Sequence, residues 1–227
     1  MKKYFLIVAI SVFATSLYAQ KKETRKVEDF NYVSMGISGD LTIKQGAINE
    51  VILEGDEEAL DNIETYVTGG KLKIRSESNS WFSSMTKIKI YITIKDFTGL
   101  SVSGSGDVVS EGTINGDNVE LHVSGSGDID LTLRATDVDC SISGSGSINL
   151  TGKGKSAALS ISGSGKLDAE DYEVETMSIR ISGSGGAYIY ATKEIDSRIS
   201  GSGTIHYKGE PDKLSNHSSG SGRLRKM

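Results

Sequence analysis

The sequence predicts an all-β fold, a solenoid of stacked coils with about seven Ser-Gly-Ser-Gly rungs and an N-terminal capping segment containing a short helix. Three observations predict it. The tetrapeptide Ser-Gly-Ser-Gly begins at Ser103, Ser124, Ser143, Ser162, Ser182, Ser200 and Ser219, so that neighbouring copies stand 21, 19, 19, 20, 18 and 19 residues apart, a period in the range of solenoid repeats. Apolar residues alternate on both sides of each copy, which is a strand pattern. The composition, with 27 glycines and one proline in 227 residues, suits many tight corners and unbroken strands.

Residues 1–19 are expected to be a signal peptide. Lys2 and Lys3 precede an apolar run from Tyr4 to Ala14, and Leu17-Tyr18-Ala19 before Gln20 makes a cleavage site. The run falls short of the roughly 20 residues that cross a bilayer, so no integral membrane span is expected after signal removal. The chain is therefore read as exported, to the periplasm, the cell surface or the medium. Residues 20–27 form a basic leader with Lys21, Lys22, Arg25 and Lys26, expected to fray in solvent or else to contact an acidic surface polymer or membrane, as is the basic end at Arg223, Arg225 and Lys226.

Residues 28–100 are expected to supply N-terminal strands and the cap that a solenoid needs over its first coil. Ile37-Ser38-Gly39-Asp40-Leu41-Thr42-Ile43 reads as a degenerate repeat, and Val51–Leu53 and Leu72–Ile74 as strands. Ala59, Leu60 and Ile63 share one helical face between Asp56 and Tyr66, with Asp56, Glu57 and Glu58 in the first turn, so a short helix is expected there. Strict alternation from Lys87 to Ile94 predicts a strand. Trp81 and Phe82 stand in a polar run; they either plug the open end of the coil or stack on a sugar or partner.

Residues 101–227 carry the repeats, continuous with 28–100 in one domain. Val102, Val123, Ile142, Ile161, Ile181 and Ile199 precede the tetrapeptides, and Leu100, Leu121, Cys140, Leu159, Ile179 and Ser197 lie two residues further back. Val108, Ile129, Ile148, Leu167, Ala187, Ile205 and Leu224 follow, then Leu131, Leu150, Ala169, Ile189 and Tyr207. Each unit thus reads strand, glycine corner, strand, variable turn, with four or so inward side chains. The corner glycines are Gly104 and Gly106, Gly125 and Gly127, Gly144 and Gly146, Gly163 and Gly165, Gly183 and Gly185, Gly201 and Gly203, and Gly220 and Gly222. They serve either a backbone with φ above zero or a place where opposite walls nearly touch. Cys140, the single cysteine, cannot form an internal disulfide and reads as a buried hydrophobe.

The formal charge of −5, about −7 once Lys2 and Lys3 leave with the signal, gives nothing that favours nucleic acid. Asp107 and Asp128 follow successive tetrapeptides and can lie one above the other, but the row continues as Ser147, Lys166, Gly186, Thr204 and Arg223. It lacks the aspartate in every turn that a calcium roll requires, so no metal or other cofactor is expected. His122, His206 and His217 occupy three different repeats, and Gly152-Lys153-Gly154-Lys155-Ser156 reads as a variable turn and not a phosphate loop. The candidate binding residues are Trp81, Phe82, Asp107 and Asp128, and no catalytic residue is expected.

The Ile37–Asp40 opening, Val51-Ile52-Leu53-Glu54-Gly55, the Lys89–Ile94 strand, the Ser-Gly-Ser-Gly-Asp rungs and the closing Tyr207-Lys208-Gly209-Glu210-Pro211 resemble the putative auto-transporter adhesin head domain family of Bacteroidetes-type exported proteins. The resemblance implies a right-handed parallel β-helix without established catalytic activity. The family's literal Gly-Ile-Asn is absent; Ser147-Ile148-Asn149 comes nearest, and no translocating barrel is expected after Met227. The leading expectation is a non-enzymatic, adhesin-like or envelope-associated binding module for a surface glycan or protein. Its rivals are a polysaccharide lyase or hydrolase using Asp107, Asp128 and nearby groups, which an acidic groove would favour, and a structural protein that self-associates through the terminal rung near Ser219.

Overall fold

In the computed structural model, which describes residues 20–77 and 88–227, the chain runs as β1 (Lys21–Arg25), β2 (Tyr32–Met35), β3 (Gly39–Gln45), β4 (Glu50–Gly55), α1 (Glu57–Asp61), β5 (Ile63–Thr68), β6 (Lys71–Ser76), β7 (Ile88–Ile94) and β8 (Gly99–Gly104). It continues as β9 (Asp107–Gly125), β10 (Asp128–Gly144), β11 (Ser147–Gly163), β12 (Lys166–Gly183), β13 (Gly186–Gly201), β14 (Thr204–Lys208), β15 (Lys213–Gly220) and β16 (Arg223–Lys226). The expected signal segment and the Trp81-Phe82 pair lie outside the described residues.

Each of β9 to β13 is one complete coil, paired in parallel with the next along almost its whole length. β14 and β15 form a further coil over β13, and β16 begins the one after. The corner glycines stay in register, Gly104 with Gly125, Gly144, Gly163, Gly183, Gly201 and Gly220. The unequal spacing of the repeats is taken up in the first half of the coil, by register shifts opposite Asp130–Thr132, Asn149–Thr151 and Ala169–Glu173, with a smaller one at Val174–Thr176.

The expected inward columns are buried from Leu100 to Ile205, while Leu224 and Tyr207 are partly buried against them. The core is larger than four side chains per coil. In β10, Ile129, Leu131, Leu133 and Ala135 point inward, then the alternation shifts by one and Val138, Cys140 and Ile142 do so. The shift bends the coil, and the stretch expected as a variable turn is a third, hydrogen-bonded wall. Gly152-Lys153-Gly154-Lys155-Ser156 is accordingly strand. Gly154 leaves room for the fully buried Tyr172 of the next coil, whose hydroxyl would lie 2.6 Å from a β-carbon there, while a β-carbon at Gly152 would meet the Leu133 carbonyl of the coil before.

Both expected uses of the corner glycines occur, one for each glycine of the tetrapeptide. Gly125, the first, has φ of +129°, outside the range that L side chains favour. Gly127, the second, is buried with ordinary φ, and a β-carbon there would stand 2.7 Å from Val102 Cγ1 and closer still to the Gly106 carbonyl oxygen. Amide-to-carbonyl bonds between successive corners, such as Ser145 N to Gly125 O at 2.9 Å, hold the stack, while the serine side chains stand in solvent.

The first coil is assembled from separate pieces. β3 lies under the start of β9 and β8 under its end, and β2 lies under β8, so Ile37-Ser38-Gly39-Asp40 is the corner of a degenerate coil, as its sequence suggests. Beyond it the direction of pairing reverses. β7 carries antiparallel β4 and then β1, and β6 carries antiparallel β5. α1 lies between these two extensions, with Ala59 and Leu60 buried. The helix is five residues long and not the expected Asp56–Tyr66. Asn62 Nδ2 donates to Glu58 O at 2.8 Å at its end, and the β-branched alternation from Ile63 is captured as a strand by β6.

The basic leader does not fray. Lys21–Arg25 is β1, because acidic and carbonyl partners wait across the sheet: Lys21 Nζ meets Glu57 at 2.7 Å, Lys22 Nζ meets Glu54 at 3.0 Å, and Arg25 donates to the Leu60 carbonyl at 2.7 Å. The basic end is likewise a strand, with Lys226 paired to Glu210.

Gly127→Ala is expected to lower stability by about 1–3 kcal/mol through overpacking, whereas Ser126→Ala at the exposed neighbour stays within about 0.5 kcal/mol; urea unfolding of both variants checks this. Glu54 provides a pH test of the cap. Its side chain is 11% exposed and receives Lys22 Nζ at 3.0 Å and Tyr91 Oη at 3.2 Å, with Lys89 Nζ at 3.8 Å, and chiefly the Lys22 bond holds its carboxyl below the usual range. A depressed carboxyl stabilises the fold above its unfolded pKa of about 4.3, and that contribution disappears as pH falls through the folded value. Glu54→Gln should therefore melt below wild type at pH 7, and the difference should close in acid.

Candidate functional site

Outward side chains on a stacked coil form columns with one residue per rung, about 4.8 Å apart. Register alone therefore decides which chemistry collects where on the surface.

At the corner, Asp107 and Asp128 stand one above the other, as expected, and Asp40 lies directly beneath Asp107. Sequence reasoning missed the third carboxylate although the degenerate repeat ending in Asp40 was its signal. Asp128 Oδ1 accepts bonds from Ser147 N at 2.9 Å and Ser147 Oγ at 2.6 Å, so this carboxylate ties one coil to the next. Above Ser147 the column continues to Lys166, in ion pair with Asp168 at 2.9 Å.

One column inward along the same wall, Tyr188 stacks on His206 with centroids 4.9 Å apart and planes 11° from parallel, and Lys166 Nζ sits 4.6 Å from the Tyr188 centroid. Lys166 comes from the coil before and His206 from the coil after. The two faces of Tyr188 are thus occupied, and its edge is what remains for solvent. This stack was not read from the sequence, although Tyr188 and Tyr190 alternate with Ala187, Ile189 and Ala191 in a manner that places them outside.

The second wall, formed by residues 118–124 of β9 and the residues in register with them on the later coils, carries a trough of about 460 Å³ along the coil axis. Glu120 from β9 and Asp137 and Asp139 from β10 line one end, Glu194 and Asp196 from β13 the other, and Ser156, Ala158, Thr176 and Ser178 from the two coils between form a small-residue floor. Asp139 and Asp196 share a column three coils apart, roughly 14 Å at the rung spacing. Asp137 accepts a bond from Ser156 Oγ, Glu194 pairs with Lys213 at 2.5 Å, and Asp196 stands 3.8 Å from Arg198. Asp107 and Asp128 do not line this trough. No alternation within one repeat signals it, since its residues are brought together only by the register of five coils.

His122 lies in the outward column of Ser141, His206 stacks on Tyr188 from the following coil, and His217 lies beside Arg198, so the three histidines do not converge. Among the described residues, no group of three or more His, Cys, Asp or Glu side chains is arranged to hold a metal ion. Cys140 is fully enclosed between coils, and burial, with a smaller effect of Asp139, pushes its thiol up to about 12.

Residues 29–211 match the family described as putative auto-transporter adhesin, head GIN domain. The chain belongs to this family. Among solved structures, it is similar to a putative adhesin from Bacteroides fragilis, 26% identical with a TM-score of 0.88, covering 92% of this chain and 97% of the other. It is also similar to a putative lipid binding protein from Parabacteroides distasonis, 26% identical with a TM-score of 0.72, covering 92% and 96%. A putative adhesin from the same organism, 22% identical with a TM-score of 0.75 and covering 92% and 97%, shares the fold. No curated protein matches the chain. The solenoid thus has crystallographic counterparts that span nearly its full length.

Folded protein is expected to leave Cys140 unlabelled by a thiol reagent at pH 8, with one equivalent appearing after denaturation; rapid labelling of the folded chain would show that the coil opens there.

Proposed function

We propose that this adhesin-head protein is an exported, non-enzymatic binding module that holds a glycan or protein on the outer columns of its solenoid. The observation that carries the reading is the walls themselves. Folding consumes the inward residue of each pair, while the outward residue is released to build surface columns and an axial trough of about 460 Å³. The family match and the adhesins among its structural relatives support it. Export is consistent with the family and with the described residues, which contain no helix long and apolar enough to cross a membrane. In this reading Asp107 and Asp128 contribute to the corner column, and Trp81 and Phe82 belong to the segment before β7, where an aromatic pair adds contact area.

The acidic trough favours a second reading, a polysaccharide-active enzyme, since hydrolases place two carboxylates across a scissile bond. Glu120, Asp137, Asp139, Glu194 and Asp196 are its residues. One experiment separates the two. The mature chain is applied to glycan and surface-protein arrays and, in parallel, incubated with a panel of polysaccharides. Retention without new reducing or unsaturated ends is the expected outcome. Cleavage that disappears in Asp137→Asn/Asp139→Asn would reverse the order.

A further inference from the structure

The end of the second wall carries a different chemistry. Arg180, Arg198 and His217 occupy one outward column on three successive coils, and Ser182, Ser200 and Ser219 occupy the next column on the same coils. Between the columns runs a groove of about 650 Å³ whose floor is the strand at Ile181, Ile199 and Ser218. All six outward residues are exposed. Arg180 makes no ion pair among the described residues, and the carboxylate nearest Arg198, that of Asp196, is 3.8 Å away.

We propose that this groove takes an acidic polysaccharide, its carboxylate or sulfate groups on Arg180 and Arg198 and its hydroxyls on Ser182, Ser200 and Ser219. The assignment rests on the binding-module reading above and names its ligand class. Like charges directly opposed on neighbouring strands destabilise a sheet, and here two guanidinium groups are stacked with little neutralisation, so an anion between them relieves a repulsion present in the free protein. A guanidinium presents a planar fork of donors that fits a carboxylate or sulfate with two bonds. Across the groove, each serine offers one donor and two acceptor lone pairs, the complement of a sugar hydroxyl. Below Arg180 its column continues as Ser160 and Ser141, so hydroxyls line both sides and an extended polymer has room to run along the axis. A linear groove with charge on one side and neutral hydroxyls on the other suits such a chain better than a plane of lipid headgroups, which would meet only the projecting arginines.

The test uses the mature chain with polygalacturonate, heparin, uncharged dextran and vesicles containing phosphatidylglycerol, followed by calorimetry at several salt concentrations. The expected result is binding to one or both polyacids, weakened by salt and absent with dextran. Arg180→Gln/Arg198→Gln should weaken it by about tenfold or more, while Lys153→Gln/Lys155→Gln, which removes equal charge from another wall, should leave it intact. Arg198→Lys keeps the charge without the fork and should give an intermediate loss; it also serves as the probe if the double variant fails to fold by circular dichroism. Equal loss in the arginine and lysine pairs, full affinity in Arg198→Lys, or binding to vesicles alone would each overturn the proposal. If the arrays show retention of other ligands while both polyacids are ignored, the acidic-glycan assignment falls and the binding-module reading stands. If neither arrays nor polyacids show binding, both fall.

Discussion

The structure depends on close approach of backbone to backbone at one corner. Wherever the chain turns after a β-branched residue, the carbonyl of one coil lies directly under the α-carbon of the next, leaving no volume for a side chain. The first glycine of each tetrapeptide accepts the left-handed backbone of the turn, and the second keeps the inner side clear. The two roles overlap, since a β-carbon on the first glycine, as at Gly125, would also stand 2.6 Å from the Gly104 carbonyl oxygen, and together they account for a repeat with two glycines where a turn alone would need one. Because each corner seats on the one below, an error at any rung would displace every rung above it.

With the corner satisfied, the rest of the coil is permissive. The first half of the coil absorbs repeats of 18 to 21 residues as bulges without disturbing the corner register. Size is compensated between neighbours, as where Gly154 makes space for Tyr172. Even a polar residue is accepted inside when its bonds are met: Ser197 is fully buried in an aliphatic column and donates to the Ser215 carbonyl at 3.2 Å, with Asn216 Oδ1 at 2.9 Å.

The outer surface follows from the same stacking. Since outward residues play little part in the core, charge can vary from column to column, and the second wall carries carboxylates along its trough on β9, β10 and β13 but guanidinium groups further along β12 and β13. At the N-terminal side the requirement differs. There the parallel stack is closed by antiparallel strands and a five-residue helix, and ion pairs to Glu54 and Glu57 fasten β1 over that closure. An edge strand rich in lysine and arginine is also poorly suited to pairing with further chains.

Much of this was legible in the residues. Inward columns, the parallel stack, the degenerate coil at Ile37–Asp40 and the vertical pairing of Asp107 with Asp128 follow from period and alternation, because a strand's two faces and a fixed repeat leave few arrangements that bury the same aliphatics. The helix boundary, the strand at Lys21–Arg25 and the third wall were not legible, since each is decided by a partner distant in sequence: β6 captures Ile63–Thr68, β4 captures the basic leader, and neighbouring coils hydrogen-bond what reads locally as a loop. The sequence by itself determined that the chain coils, where it bends and which side chains face inward. Tertiary structure alone decided which outward residues meet, because Glu120 with Asp139, or Arg198 with His217, become neighbours only when coils whose repeats differ in length are brought into register.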